Sequence, residues 1–278
     1  MNIAVLSGKG GAGKTFVSVN LAAAAPQAVY IDCDVEEPNG RLFLKPESVE
    51  SREVQVMIPE FDPERCTGCR KCVDVCRFHA LVYIRKKPKV FPQVCHSCGA
   101  CAYVCPAQAI SEVGRTVGHV EHGTHRNIDV YTGVLDLGEA SGSPVIGAAL
   151  EDGIREGQLH ILDCPPGSAC PVLETVSHAD VCVLVAEPTK FGFHNFCMVH
   201  ELAEKMGKPC GVVVNKMEDP YEPLETYCAE HQLPILDRIS YDPNLARLGA
   251  GGGIYAEQSE EAAQRFRVLL EKIGGLAQ

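Results

Sequence analysis

The sequence predicts an α/β fold, a doubly wound and mainly parallel sheet, interrupted by a small inserted α+β module of another character. Three observations carry this. Short apolar β-type runs alternate with helix-length segments through most of the 278 residues. A glycine-rich loop ending in Gly-Lys-Thr follows the first of those runs directly. Eight of the fifteen cysteines crowd between Cys66 and Cys105, where the alternation stops. Continuous apolar strands separated by helices belong to sheets covered on both faces. An apolar fraction of 46% is enough to build such a core.

Taken in order, the first expected strand is Ile3 to Ser7, followed by the loop, a helix over Gly13 to Ala25 and a strand over Ala28 to Asp32. The pattern breaks near Pro59 and resumes near Ile110, which divides the chain into residues 1–58 with 111–278 and an insert over 59–110. Residues 112–137 alternate polar and apolar with Gly118 and Gly123 among them, a hairpin where the chain rejoins the sheet. Further strands are expected over His160 to Asp163, Val181 to Ala186 and Gly211 to Asn215. Helices are expected over Phe191 to Met206, Tyr221 to His231 and Ser259 to Ile273. In the last of these Ala262, Phe266, Leu269, Leu270 and Ile273 share one face, which reads as core.

The loop Gly8-Lys9-Gly10-Gly11-Ala12-Gly13-Lys14-Thr15 satisfies G-x-x-x-x-G-K-[ST] in the strand–loop–helix context the motif needs. Its glycines let backbone N–H groups turn toward phosphates, and the helix N-terminus adds partial positive charge. Lys14 then reaches the β/γ-phosphates and the Thr15 hydroxyl binds Mg²⁺, so ATP and Mg²⁺ are the expected cofactors.

The insert carries a repeat. Cys66-x2-Cys69-x2-Cys72-x3-Cys76 recurs as Cys95-x2-Cys98-x2-Cys101-x3-Cys105-Pro106. In bacterial two-cluster ferredoxins three cysteines of a run hold one [4Fe-4S] cluster and the fourth holds the other. Cluster one would take Cys66, Cys69, Cys72 and Cys105, and cluster two would take Cys95, Cys98, Cys101 and Cys76. Zinc sites use paired knuckles instead of triplets with a trailing ligand, and disulfides suit short exported chains. Arg77 stands where a proline often follows the fourth cysteine of a run, and His96 reads as a solvent-facing loop residue. The insert has eight Lys/Arg against four acids, a surplus that two anionic clusters would offset.

The segment K-G-G-x-G-K-T resembles the ParA/MinD family of P-loop ATPases, the deviant Walker A kind, which includes nitrogenase iron proteins and Mrp-type iron–sulfur carriers. The resemblance covers residues 1–58 and 111–278 and implies a MinD-like P-loop NTPase sheet with a ferredoxin domain inserted in it. It implies that Lys9 is a signature lysine reaching the nucleotide of a partner subunit. Asp32-Cys33-Asp34 looks like the family's switch I, with Asp34 orienting the attacking water and Asp32 supporting Mg²⁺. Asp163-Cys164-Pro165-Pro166-Gly167 looks like Walker B with switch II, placing Asp163 near Mg²⁺ and the Gly167 N–H on the γ-phosphate. Asn215 resembles the adenine-reading position, with a plain turn as its other reading. Cys170 lies where a metal centre could be bound or relayed near a dimer interface, or it is a small buried residue. Cys33, Cys164, Cys182, Cys197, Cys210 and Cys228 lack ligand spacing and read as packing.

The expected protein is therefore a partner-stimulated ATPase in which nucleotide-driven changes of a homodimer, or a heterodimer with a similar ATPase, gate electron transfer to a redox or iron–sulfur acceptor protein. An iron–sulfur or metallocofactor assembly carrier is the alternative, followed by a spatial positioning switch. A net charge of −11 argues against nucleic-acid binding. No apolar run nears the roughly 20 residues of a membrane span, and no signal peptide precedes the first strand, so a cytoplasmic location is expected.

Overall fold

The structure, a computed structural model, describes residues 1–277. The chain begins β1 (Asn2–Leu6), α1 (Lys14–Ala24), β2 (Ala28–Asp32), α2 (Gly40–Leu44) and β3 (Glu47–Phe61). Then come α3 (Lys71–Val75), β4 (Leu81–Ile84), β5 (Lys87–Val90), α4 (Ala100–Tyr103), β6 (Ile110–His125) and β7 (Ile128–Leu135). The rest alternates: α5 (Ser143–Gly153), β8 (His160–Asp163), α6 (Cys170–Ser177), β9 (Val181–Ala186), α7 (Lys190–Lys205) and β10 (Cys210–Met217). It closes with α8 (Glu222–Glu230), β11 (Ile235–Ser240), α9 (Pro243–Ala250) and α10 (Glu260–Gly274).

Nine strands form one sheet in the order β11-β10-β9-β1-β8-β2-β7-β6-β3. From β11 to β7 neighbours are parallel, and β7, β6 and β3 add an antiparallel edge. Both faces of the inner parallel strands, β10, β9, β1, β8 and β2, are buried. In β1, Ile3 and Val5 join the core under α1 and α10, while Ala4 and Leu6 join the one with Phe196 and Val199 of α7. A third core puts Ile31 and Leu162 against Ile146 and Ala149 of α5. Double burial is why these strands are apolar throughout and visible in sequence.

The antiparallel edge obeys a different rule. β3 and β6 pair from Glu47↔Thr124 to Phe61↔Ile110, a long arm whose far end carries the cysteine module. Only Val54 and Pro59 are buried among the residues of β3, so no apolar pattern announces the strand. The hairpin expected over 112–137 is β6 with β7, turning at Arg126–Asn127. Its glycines mark close approach: a Cβ on Gly118 would collide with the Val134 carbonyl, and one on Gly123 would press on that of Glu47. The boundaries expected at 59 and 110 fall inside the last rungs of this arm, where Pro59 pairs with Glu112.

The module reflects the repeat of its sequence. Each cysteine run turns through a left-handed residue, Arg70 (φ 69°) or Gly99 (φ 68°), into a single helical turn, α3 or α4. A two-stranded sheet, β4 with β5, lies between them.

Candidate functional site

The phosphate loop joins β1 to α1 at the C-terminal ends of the parallel strands, where such folds bind ligands. Gly11 and Gly13 both have positive φ, 79° and 97°. Gly13 is doubly constrained, because a Cβ there would also strike the Asn215 amide nitrogen. A cavity of about 730 Å³ opens over the loop, lined by Gly10, Gly11, Gly13, Lys14, Thr15 and Asp34 together with Glu36, Pro166 and Gly252.

Beneath it lies a buried charge network. Lys14 Nζ donates to Asp163 Oδ1 at 2.7 Å and to Asp34 Oδ2 at 3.5 Å. Asp163 also accepts from the Tyr30 hydroxyl at 2.7 Å. Burial works against the Lys14 ammonium, yet Asp163, Asp34 and Asp32 outweigh it and hold its pKa above the ordinary value. Asp32 is fully buried and accepts from the N–H groups of Gly40 (2.8 Å) and Asp34 (3.1 Å). Its pKa is raised, by burial first and then by Asp163. Burial, partly opposed by Lys14, also raises that of Asp34.

The structure thus brings Lys14, Thr15 and Asp34 to the cavity and sets Asp32 and Asp163 behind them. Asp32 braces the backbone at Asp34 and Gly40. The Gly167 N–H donates to the Ser7 carbonyl at 3.0 Å. Asn215 donates to Ala12 O at 2.9 Å and borders a smaller cavity of about 170 Å³ with Lys216, Tyr241 and Leu245. Lys9 folds back on its own chain, 2.8 Å from Glu187 and 5.4 Å from the centre of the Phe191 ring.

The module's cysteines fall into two groups of four. Cys66, Cys69, Cys72 and Cys105 line one cavity, and Cys76, Cys95, Cys98 and Cys101 line another. All eight are free thiols, and among the described residues no three His, Cys, Asp or Glu approach closely enough to hold a single metal ion. His96 is exposed, but it stacks on Phe78 with ring centres 3.8 Å apart, tying the two runs together beside the second cavity.

A cleft of about 480 Å³ separates the module from the phosphate site. Its walls include Cys95, His96 and Ser97 of the module, Glu36 after β2, and Ala169, Cys170 and Pro171 at the start of α6. Glu36, Gly142, Ala169 and Pro171 line both this cleft and the phosphate cavity. Cys170 is exposed, which removes the buried-residue reading. Arg115 crosses the cleft wall, paired with Glu139 at 2.5 Å and donating to the Pro92 carbonyl at 3.2 Å. Burial pushes the Cys33, Cys164 and Cys182 thiols up, although hydrogen bonding with Cys210 comes first for Cys182. These thiols are packing groups, as their spacing indicates.

Sequence reasoning missed Tyr30, Glu187 and Arg115. Tyr30 looked like one more apolar strand residue, and Glu187 and Arg115 acquire partners only through the tertiary fold.

The profile of the CobQ/CobB/MinD/ParA nucleotide binding domain matches residues 3–253. The chain belongs to this family. Among MinD/ParA-type relatives of known structure, the cell division ATPase MinD of Pyrococcus furiosus superposes with a TM-score of 0.59 at 20% identity, covering 99% of this chain and 98% of that one. The septum site-determining protein MinD of Pyrococcus horikoshii, complexed with Mg-ADP, gives 0.59 at 18% identity, covering 100% and 98%. An uncharacterised protein of Methanocaldococcus jannaschii, MJ0578, is 29% identical over 280 residues, covering 98% of this chain and 96% of its own length. Among the described residues no helix is long and apolar enough to cross a membrane.

Proposed function

We propose that this MinD/ParA-family protein is an ATPase whose nucleotide state governs electron transfer through two [4Fe-4S] clusters. The observation that carries the reading is the shared cleft: Glu36, beside Asp34, faces the same space as Cys95 and Cys170. Any rearrangement of the segment after β2 on binding or losing a γ-phosphate is therefore felt at the module.

At the nucleotide end, a triphosphate would draw Lys14 away from Asp163 and Asp34, freeing Asp163 to join the Thr15 hydroxyl toward Mg²⁺ and Asp34 to face the attacking water. The Mg-ADP bound by the Pyrococcus horikoshii relative supports the same ligand here. The base would lie in the smaller cavity beside Asn215. Lys9 is poised at the loop surface to reach a second subunit once it leaves Glu187.

At the module end, the division of cysteines four and four supports residues 59–110 as a ferredoxin domain, with Cys105 and Cys76 exchanged between runs. Two runs of three cysteines with a trailing fourth, gathered four and four, fit clusters better than zinc, whose sites use paired knuckles. When bound, the clusters supply one-electron chemistry with no open coordination site. Free thiols and clusters both belong in a reducing compartment, which supports a cytoplasmic location.

Anaerobic preparation followed by iron analysis and EPR, with and without Mg-ATP, tests the reading. About eight irons per chain are expected for two four-iron clusters, with a reduced-state spectrum that changes with nucleotide. Fewer than four irons, or a spectrum indifferent to Mg-ATP, sinks it. The exposed Cys170 favours a second reading, an assembly carrier with a labile cluster. That role predicts iron passing to an apo-acceptor, whereas the electron-transfer role predicts full retention. The positioning role of cell-division relatives predicts instead a localised fluorescent fusion.

A further inference from the structure

The two cysteine cavities have opposite surroundings. The first is lined by Arg70 and Lys71, while the second has no Lys or Arg in its lining and includes Glu112. Beside the first cavity stands the hairpin of β4 and β5, fixed by the Tyr83 hydroxyl donating to the Gly68 carbonyl at 2.9 Å. Arg70 lies over the Tyr83 ring, 5.1 Å from its centre. The tip brings Arg85, Lys86 and Lys87 into a row, all exposed, with Lys89 exposed farther along β5.

The backbone at this tip is unfavourable for those residues. Ile84 pairs with Lys87, leaving a two-residue turn in which Arg85 (φ 49°) and Lys86 (φ 67°) are both left-handed. Such turns strongly favour Asn-Gly, and each long side chain at positive φ costs on the order of 1 kcal/mol. Arg70 (φ 69°) occupies a left-handed position where the second run has Gly99. Cations thus stand at three positions that turn geometry would give to glycine or asparagine, all at one end of the molecule. Strain kept where the side chains face solvent points to use of those side chains.

We propose that this basic end, formed by Arg70, Lys71, Arg85, Lys86 and Lys87, docks an acidic protein electron carrier, so that electrons enter at the first cysteine group and leave by the second, toward the cleft with Cys170 and Glu36. The proposal rests on the iron–sulfur reading above. One electron passes from the reduced carrier, which is oxidised, onto the group held by Cys66, Cys69, Cys72 and Cys105, and no bond is made or broken. A nucleic acid would also meet these cations, but a long polyanion must lie along a body of net charge −11, whereas a compact carrier touches only the tip.

The test uses the full-length, anaerobically prepared protein and a reduced acidic flavodoxin as probe, with the triple variant Arg85→Glu, Lys86→Glu, Lys87→Glu. Electrostatic steering changes association rates by about 10- to 1,000-fold. The second-order rate of reduction is therefore expected to fall at least about tenfold at low salt, and its salt dependence to flatten. Reduced methyl viologen, itself a small cation, should reduce the variant at least as fast as the parent. An unchanged flavodoxin rate, or an equal loss with viologen, overturns the proposal. If the chain holds no iron, the cluster reading fails on its own, and docking is still read from carbodiimide cross-linking to oxidised flavodoxin. Cross-links at Lys71, Lys86, Lys87 and Lys89 uphold the surface. Cross-links elsewhere, no cross-links at all, or displacement by an equimolar single-stranded oligonucleotide overturn it.

Discussion

Lys14 is 6% exposed and Asp163 is fully buried, so the two charges exist at this depth because of each other. Removing one partner of a buried pair costs about 3–5 kcal/mol, because the other charge is left uncompensated. Lys14→Gln should therefore do two things at once. ATP hydrolysis should fall by roughly 100-fold or more, since positioning and charge stabilisation are nearly all that phosphoryl transfer asks of a protein. Stability should also drop, and drop more at pH 8 than at pH 5, because Asp32 and Asp34, whose pKa values burial already raises, fold best when protonated once the cation is gone. Urea titrations at the two pH values check this, and equal losses would contradict the charge argument. His160 offers the opposite sign. It is buried at the start of β8, with Nδ1 2.7 Å from the Asn2 side-chain oxygen and Nε2 accepting from the Arg155 N–H at 2.9 Å. Burial, then the nearby terminal ammonium, lowers its pKa below the usual 6.5. The unfolded chain consequently binds the proton first as pH falls through 6.5, so stability is present above that pH and lost below it. His160→Gln should flatten the slope between pH 7 and pH 5 while costing stability at both ends, measurable by thermal melts.

The elements differ in how plainly the sequence announces them, and burial explains the difference. β1, β2, β8, β9 and β10 fall within about two residues of expectation because both their faces are covered. α10 was legible from its stripe, and Phe266, Leu269 and Ile273 are indeed core. β3 was not, because its residues are mostly exposed and its order comes from pairing with β6. The half-buried β11 and the short α9, which has no buried residue, were missed for the same reason. In the site, the loop glycines, Lys14 and the eight cysteines could be found from spacing, while Tyr30 and Glu187 could not, since nothing local ties them to chemistry. The β4–β5 hairpin gives a prediction at this scale. Arg85→Asn with Lys86→Gly replaces two strained residues with the pair its turn favours, and should stabilise the fold by roughly 1 kcal/mol. Chemical denaturation of the paired variant against the parent is the check. A variant no more stable than the parent would mean that the tip stores no strain, removing one of the supports for reading its cations as functional.

For the whole molecule the proposed ATP-dependent dimer raises the question of what would keep one subunit from associating before ATP arrives. Lys9 holds Glu187 at 2.8 Å and lies beside Phe191, with the two charged side chains 23% and 19% exposed. Glu187 follows the strand β9, on the far side of β1 from Asp163, so the contact ties the loop surface to the start of α7 and leaves the Lys14 network untouched. A partly exposed ion pair of this kind contributes up to about 1 kcal/mol, close to a fivefold bias in an equilibrium. If Lys9 must leave it to reach a second nucleotide, every association event carries that cost. Glu187→Gln should then strengthen Mg-ATP-dependent dimerisation about fivefold, with no change when nucleotide is absent, because the released lysine gains a target only when a partner brings phosphates. Sedimentation velocity across a concentration series, with hydrolysis blocked by a non-hydrolysable analogue, reads this directly. Lys9→Ala provides the necessary contrast: it also loses the internal contact but cannot make the external one, and should stay monomeric. Tighter association in both variants would instead mean that Glu187 and Lys9 merely obstruct the interface, and that the lysine has no role across it.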